Sequence, residues 1–382
     1  MSNFYCAAPW RGLHINIRGD VKTCCAGNPN MLGNINDKTI EQILNGPELQ
    51  AIRAELREGR THPYCVNCTN RESHGGDSER VWHNNVNKDF DPATAGLDYD
   101  FPTLIDVRWN STCNLSCNYC GPMDSSKWAV LKKISVNSNT RRYYTDVCDF
   151  IDKNYEHVKE VALVGGEPLL LPENERLLDV IPADCVVTVI TNLSTPLENN
   201  RIFQKLSKRH RVGWSMSFDN IDKKFEYVRY EASWNLMLHN LDLIQDLMRN
   251  HGHWGGIHAV YNLYNATRLV EFKQFATERG LSIKWQNLRV PTVLDPRNYG
   301  QEIAQLAAQE IERVFAECQV DQEEKDLFTS ALNTYRSQIE TNTPMIKKLQ
   351  EFVNQIETKY HKNCSGDFCR LWPELGNVIN GR

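Results

Sequence analysis

The segment that most restricts this chain is Thr103 to Cys120, TLIDVRWNSTCNLSCNYC, where a strand-like apolar run ends in a cysteine loop. That loop delivers Cys113, Cys117 and Cys120 at C-x3-C-x2-C spacing. Three thiols within eight residues point to a metal centre, because thiolate is a ligand of choice for zinc and for iron–sulfur clusters, and both centres favour four ligands. Three protein ligands leave one coordination position open, which is what a metal needs in order to do chemistry rather than hold a fold. The alternative is a structural zinc site with a distant fourth ligand.

Composition narrows the class. At 382 residues the chain is long enough for two or three domains, or for one large α/β unit with attachments. The formal charge of −5 gives no general basic footprint, and no nucleic-acid signature is present, so nucleic acid is not expected as a partner. No run of about 18 apolar residues exists, so no membrane span is expected. The start, MSNFYCAAPWRGLHINIRGD, lacks the basic-then-apolar order of a secretory signal. Thirteen cysteines without an export signal argue for metal ligation in a reducing compartment rather than for disulfides, so the expected location is cytoplasmic.

Residues 1–75 read as a small cysteine-rich α+β module. Leu13–Ile17 and Val21–Thr23 flank an Arg18-Gly19-Asp20 turn and predict a hairpin, with Cys6 before it and Cys24-Cys25 at its end. Thr39 and Gln42 have capping-box spacing ahead of a helix that Gly46-Pro47 breaks, and Glu48–Glu58 resumes the helical period. Cys65-x2-Cys68 follows. Cys6, Cys24, Cys65 and Cys68 together can ligate a second centre, Cys25 being interchangeable with Cys24 at this level. A zinc knuckle is the competing reading.

Residues 76–102 read as a linker. From Thr103 to about residue 296 strands and helices alternate, with strands expected at Leu104–Trp109, Val158–Val164, Cys185–Thr191, Val212–Phe218, Ile257–Asn262 and Ser282–Leu288. Helices are clearest at Trp234–Arg249 and Arg268–Arg279. Six such repeats imply a parallel sheet, and so an α/β fold. Residues 297–382 form a helical C-terminal extension. Cys364 and Cys369 lie there at C-x4-C spacing and read as an unligated pair. His251 and His253 read as a solvent loop, and Trp109 and Trp214 as core residues.

The strand ends carry further signals. Gly165-Gly166-Glu167-Pro168 follows the second strand, where glycines admit close backbone approach and a carboxylate accepts from an ammonium. The third strand ends in Thr191-Asn192, the fourth gives Ser217 and Asp219, and Arg229 lies downstream.

These motifs together resemble the radical S-adenosylmethionine (radical SAM) superfamily over roughly residues 103–290, with Tyr119 as the aromatic before the last signature cysteine. The resemblance implies a partial (β/α)6 TIM-like barrel. In it Cys113, Cys117 and Cys120 hold a catalytic [4Fe–4S] cluster whose fourth iron is chelated by S-adenosylmethionine. One-electron cleavage then gives a 5′-deoxyadenosyl radical that abstracts a substrate hydrogen atom. Gly165, Gly166 and Glu167 match the element that binds the methionyl amine, and Thr191-Asn192 is similar to a TN-G element, with Leu193 in place of its glycine. Ser217, Asp219 and Arg229 match ribose- and carboxylate-contacting positions; Asn262 and the 288–290 backbone are weaker candidates for the adenosine pocket.

The first 70 residues resemble the twitch or SPASM auxiliary-cluster module. Twelve residues separate Cys6 from Gly19 and four separate Gly19 from Cys24. The module here precedes the core rather than following it, and residues 69–80 supply no further cysteine, so one auxiliary cluster is expected. By the same resemblance the partners are a reductant such as flavodoxin or ferredoxin and a peptide or protein substrate, the alternative substrate being a small alcohol or aminosugar.

Overall fold

The computed structural model describes every residue except 1–3, 29–30, 74–77, 99–100, 137–139, 289, 339, 341, 362–365 and 382. Nine strands make one sheet: β1 Gly12–Ile15, β2 Asp20–Lys22, β3 Gly33–Asn34, β4 Leu104–Val107, β5 Glu160–Leu163, β6 Val186–Thr191, β7 Val212–Ser217, β8 Trp254–Tyr261 and β9 Ile283–Asn287. Their order is β3-β2-β1-β4-β5-β6-β7-β8-β9. Strands β4 to β9 are parallel neighbours in sequence order, with helices in the connections. This is the partial (β/α)6 TIM-like barrel. All six expected barrel strands are present.

Alternation along the strands sorts the two faces of the sheet. Ile105, Val107, Val161, Leu163, Val187, Val189, Trp214 and Met216 are buried against the helices. Asp106, Ala162, Thr188, Ser215 and His258 are half-buried on the opposite face. Parallel strands are usually apolar on both faces, and here the second face is half-open and largely polar. The C-terminal strand ends lead into the cysteine loop, the glycine pair, Asn192 and Asp219, as in full barrels.

The N-terminal hairpin does not stand apart. Strand β1 pairs in parallel with β4, placing His14 opposite Asp106 and joining them by a 2.8 Å contact. An edge strand left open would expose unpaired backbone groups, and β1 removes that liability at β4. The buried Arg53 guanidinium donates to the carbonyls of Pro9, Leu44 and Leu97, tying the module to the segment that follows it. That segment, read as a linker, holds a helix at Glu79–Val86 capped by Ser78. Its apolar content is too sparse to show a helical period. The Thr39–Gln42 capping box is formed as expected.

The C-terminal extension is helical at Gln301–Glu317, Gln322–Arg336, Thr343–Gln355, Asp367–Leu371 and Pro373–Ile379, with a π-turn at Ile356–Tyr360. It builds a second apolar cluster, in which Leu349, Phe368, Trp372 and Leu375 pack on Tyr227 and Tyr264. The extension thus braces segments that touch the cysteine loop. One side chain departs from expectation: His253 is buried, bridging Trp214 Nε1 and the Arg209 carbonyl, because it opens onto β8 rather than solvent. Cys364 lies outside the described residues.

Candidate active site

The cysteine loop is held from three sides. Trp128 Nε1 donates to the Cys117 carbonyl at 2.8 Å, Ser125 Oγ to the Leu115 carbonyl at 2.6 Å, and Ser126 Oγ accepts from Cys113 N at 3.2 Å. Asn118 N donates to the Val228 carbonyl at 2.8 Å and Ser116 N to the Tyr230 carbonyl at 3.3 Å. From the C-terminal extension, His361 stacks on Tyr230 at 3.9 Å and meets Ser116 Oγ at 3.4 Å. Burial pushes His361 down to about 4, so its ring is neutral. None of these supports was foreseen; those from Val228, Tyr230 and His361 reach the loop from more than 100 positions away.

The three thiols do not behave alike. Burial pushes Cys113 up to about 12. Cys117 and Cys120 share a hydrogen bond that holds Cys117 below and Cys120 above the ordinary thiol range. Asn192 Nδ2 lies 3.7 Å from Cys113 Sγ, which brings the end of β6 against the loop.

The glycine pair fits directly onto the loop. A Cβ on Gly166 would lie 2.3 Å from the Thr112 carbonyl oxygen, so no other residue fits without moving backbone. Gly165 has φ +138, and Glu167 N donates to that same Thr112 carbonyl at 2.8 Å. Glu167 is fully buried and accepts from Thr191 Oγ1 at 2.8 Å, Asn192 N at 2.8 Å and Leu169 N at 3.2 Å. Desolvation outweighs these donors and pushes its carboxyl up to about 7. A cationic amine alongside would reverse that. Leu193, which replaces a glycine of the motif, is left-handed at φ 55, and its carbonyl is held by Asn240 Nδ2 at 2.7 Å.

Asp219 organises the next strand end. Its Oδ1 accepts from Val260 N at 2.6 Å, and its Oδ2 accepts from Arg229 Nη2 at 3.0 Å and from the Tyr119 hydroxyl. The Arg229 guanidinium lies 5.7 Å from the Tyr119 ring centre, and its buried Nε has no partner among the described residues. Ser217 ends β7, half-buried, in register with His258. Tyr119, Asp219 and Arg229 thus form one buried unit. Asn262 is instead spent as a helix cap, accepting from Tyr264 N at 2.8 Å; Arg289 lies outside the described residues.

In the N-terminal module, Cys6, Cys24, Cys65 and Cys68 line one cavity together with Tyr64 and Arg80. Burial raises all four thiols above their ordinary range, and each lies within electrostatic reach of others in the set. Four such groups become thiolates together only around a cationic centre. Cys25 is exposed and does not line the cavity; its carbonyl holds Lys22 Nζ at 2.7 Å. Of the two residues the sequence left open, Cys24 is the one that lines the cavity. Among the described residues no three His, Cys, Asp or Glu side chains meet as a single-ion site. Three thiols sit in one loop and four line one cavity, and thiols are the donor type that iron–sulfur clusters take.

The model of the radical SAM superfamily matches residues 108–268, and that of the SPASM iron–sulfur cluster-binding domain matches residues 6–69. The chain belongs to the radical SAM superfamily and carries a SPASM domain ahead of the core. These domains bring a [4Fe–4S] cluster with S-adenosylmethionine and auxiliary iron–sulfur binding.

Among individual proteins, the chain is similar to 7-carboxy-7-deazaguanine synthase of Clostridium acetobutylicum, with 37% identity over 89 residues, 23% of this chain and 36% of that protein. Among solved structures, Streptococcus suis SuiB bound to precursor peptide SuiA aligns with TM-score 0.41 at 13% identity, covering 70% of this chain and 63% of that one. Native anSMEcpe with bound AdoMet aligns with TM-score 0.41 at 15% identity, covering 56% and 59%. The chain spans less than two thirds of each. No helix among the described residues is long and apolar enough to cross a membrane.

Proposed function

We propose that this chain is a radical SAM enzyme that modifies a peptide or protein, with one catalytic and one auxiliary cluster. The observation that carries the radical chemistry is the fit of Gly166 and Glu167 onto the Cys113–Cys120 loop, which sets a buried carboxyl beside three clustered thiols. When bound, the cluster and S-adenosylmethionine supply hydrogen-atom abstraction by a carbon radical.

The residues divide the work. Cys113, Cys117 and Cys120 hold the catalytic cluster. Glu167, oriented by Thr191 and Asn192, receives the methionyl ammonium, and Gly165 and Gly166 let its segment lie directly against the cysteine loop. Arg229, fixed by Asp219 and Tyr119, turns its free Nε toward the ligand carboxylate, and Ser217 meets the ribose. Cys6, Cys24, Cys65 and Cys68 hold the auxiliary cluster, suited to taking an electron from an oxidised substrate because four thiols leave no ligand position for substrate. The choice of a peptide over a small alcohol rests on the pairing of these two modules in the family it resembles.

The test is S-adenosylmethionine cleavage under dithionite, followed as 5′-deoxyadenosine, in wild type and Cys117→Ala. Cleavage in wild type and its loss in a folded variant supports the assignment. Equal cleavage in both refutes it.

A further inference from the structure

The helix at Glu79–Val86 lies past the last ligand cysteine of the N-terminal module, yet it forms part of the wall of that module's cavity. Its Asn84 holds both neighbours of Cys6: Oδ1 accepts from Ala7 N at 2.9 Å, and Nδ2 donates to the Tyr5 carbonyl at 2.9 Å. Arg80 stands four residues earlier on the same helix face. It lines the cavity together with Cys6, Cys24, Cys65 and Cys68, and among the described lining residues it is the only cation.

The Arg80 guanidinium is fixed at every nitrogen. Nε and Nη2 pair with the two oxygens of Glu72 at 3.0 and 2.6 Å, and Nη1 donates to the Tyr5 carbonyl at 3.1 Å. The group lies 4.3 Å from the Phe4 ring centre. Ser78, the helix cap, donates to the same Glu72 carboxylate. The backbone N–H of Arg80, left without a partner inside the first helical turn, bonds to the Cys68 sulfur. The charge of Arg80 acts on Cys6 and Cys65; against it, Glu72 acts on Cys65 and Cys68, and Glu79 on Cys68. One residue thus brings a fixed positive charge and a sulfur-directed N–H to the same thiol set.

Reduction adds one negative charge to an iron–sulfur centre, and net charge together with hydrogen bonds to the sulfurs sets its potential. We propose that Arg80 is the positioning residue that sets the reduction potential of the auxiliary cluster, holding it high enough to accept an electron from an oxidised substrate. This rests on the functional reading above, in which Cys6, Cys24, Cys65 and Cys68 hold that cluster. In the step one electron passes from the substrate radical to the cluster; Arg80 keeps its proton, and no bond to it forms or breaks. Glu72 has the opposite sign of effect: it anchors the guanidinium and moderates its charge. The auxiliary site is therefore completed by a helix outside the cysteine-rich module.

The test is a potentiometric titration of the cluster-loaded full chain, followed by electron paramagnetic resonance, in wild type, Arg80→Gln, Arg80→Lys and Glu72→Gln. Repeating it with Cys113→Ala/Cys117→Ala/Cys120→Ala assigns the auxiliary signal. Arg80→Gln should lower the reduction equilibrium about tenfold or more, about 59 mV for one electron, because the charge is lost and Glu72 is left facing the thiolates. Arg80→Lys, which keeps the charge, should stay within about threefold of wild type. Glu72→Gln should shift the midpoint upward. Opposite shifts in Arg80→Gln and Glu72→Gln are the signature of charge, since a purely structural role would not reverse sign. The proposal is overturned if the two variants shift the same way, or if the midpoint of Glu72→Gln stays at the wild-type value; that variant decides the matter even where Arg80→Gln takes up no cluster. Absence of any auxiliary [4Fe–4S] signal in wild type would instead overturn the two-cluster reading.

Discussion

Replacing Asp219 by Asn removes the charge that faces Arg229 while keeping the side-chain size. Both groups are buried, Asp219 fully, at a separation of 3.0 Å. At an effective dielectric of about 20 the lost attraction is about 5 kcal/mol. Measured costs of breaking one side of a buried pair run at about 3–5 kcal/mol, because the remaining charge is stranded. The Tyr119 hydroxyl and Val260 N also lose a charged acceptor, so the upper half of that range is expected. Arg229→Gln alone should cost a similar amount by stranding Asp219. The double variant strands nothing, and should lie at least about 2 kcal/mol above the sum of the two. Urea unfolding under anaerobic conditions, at matched cluster content, reads all three. Single losses below about 1 kcal/mol, or an additive double variant, would show that Asp219 and Arg229 are not the coupled unit described here.

Three other predictions concern the strand ends after β5 and β6 and the N-terminal cavity. Glu167 has its carboxyl raised from 4.5 to about 7, so the native state holds a proton that the unfolded state has lost; its contribution is full below about 4.5 and is lost as pH rises through 7, about 3 kcal/mol in all. Glu167→Gln should flatten that slope in pH-dependent unfolding, and S-adenosylmethionine affinity of wild type should rise over the same window; a slope shared by both proteins refutes the assignment. Leu193→Gly relieves a left-handed conformation worth about 1–2 kcal/mol but empties a fully buried leucine site worth about 3–5, so the variant should lose about 2 kcal/mol and not gain stability. Cys24→Ser should abolish the auxiliary cluster absorbance, whereas Cys25→Ser should leave it intact; the reverse would overturn the reading of the cavity.

The barrel was legible because its strands are short segments with apolar residues, each followed by a helical period, and local sequence carries that signal directly. The site motifs at the ends of β4 to β7 were legible because the spacing of three cysteines and the glycine pair allows little else. What was not legible depends on contacts between distant residues. His361 reaches Ser116 across 245 positions, and Trp128 reaches Cys117 from a helix with no motif. The join of β1 to β4 follows from a vacant sheet edge that no local pattern reveals. Cys24 and Cys25 are adjacent in sequence, and it is burial and the lining of the cavity that tell them apart. The strain at Leu193 was visible as a missing glycine, but its compensation by Asn240 was not.

The central claim is that two separate sets of thiols hold two clusters. Iron and sulfide per chain, after anaerobic reconstitution, test it most directly in wild type and in the Cys113→Ala/Cys117→Ala/Cys120→Ala variant. Two [4Fe–4S] clusters predict about eight irons in wild type and about four in the variant. Zinc in place of iron, or about four irons in wild type that vanish with the triple change, would contradict the account.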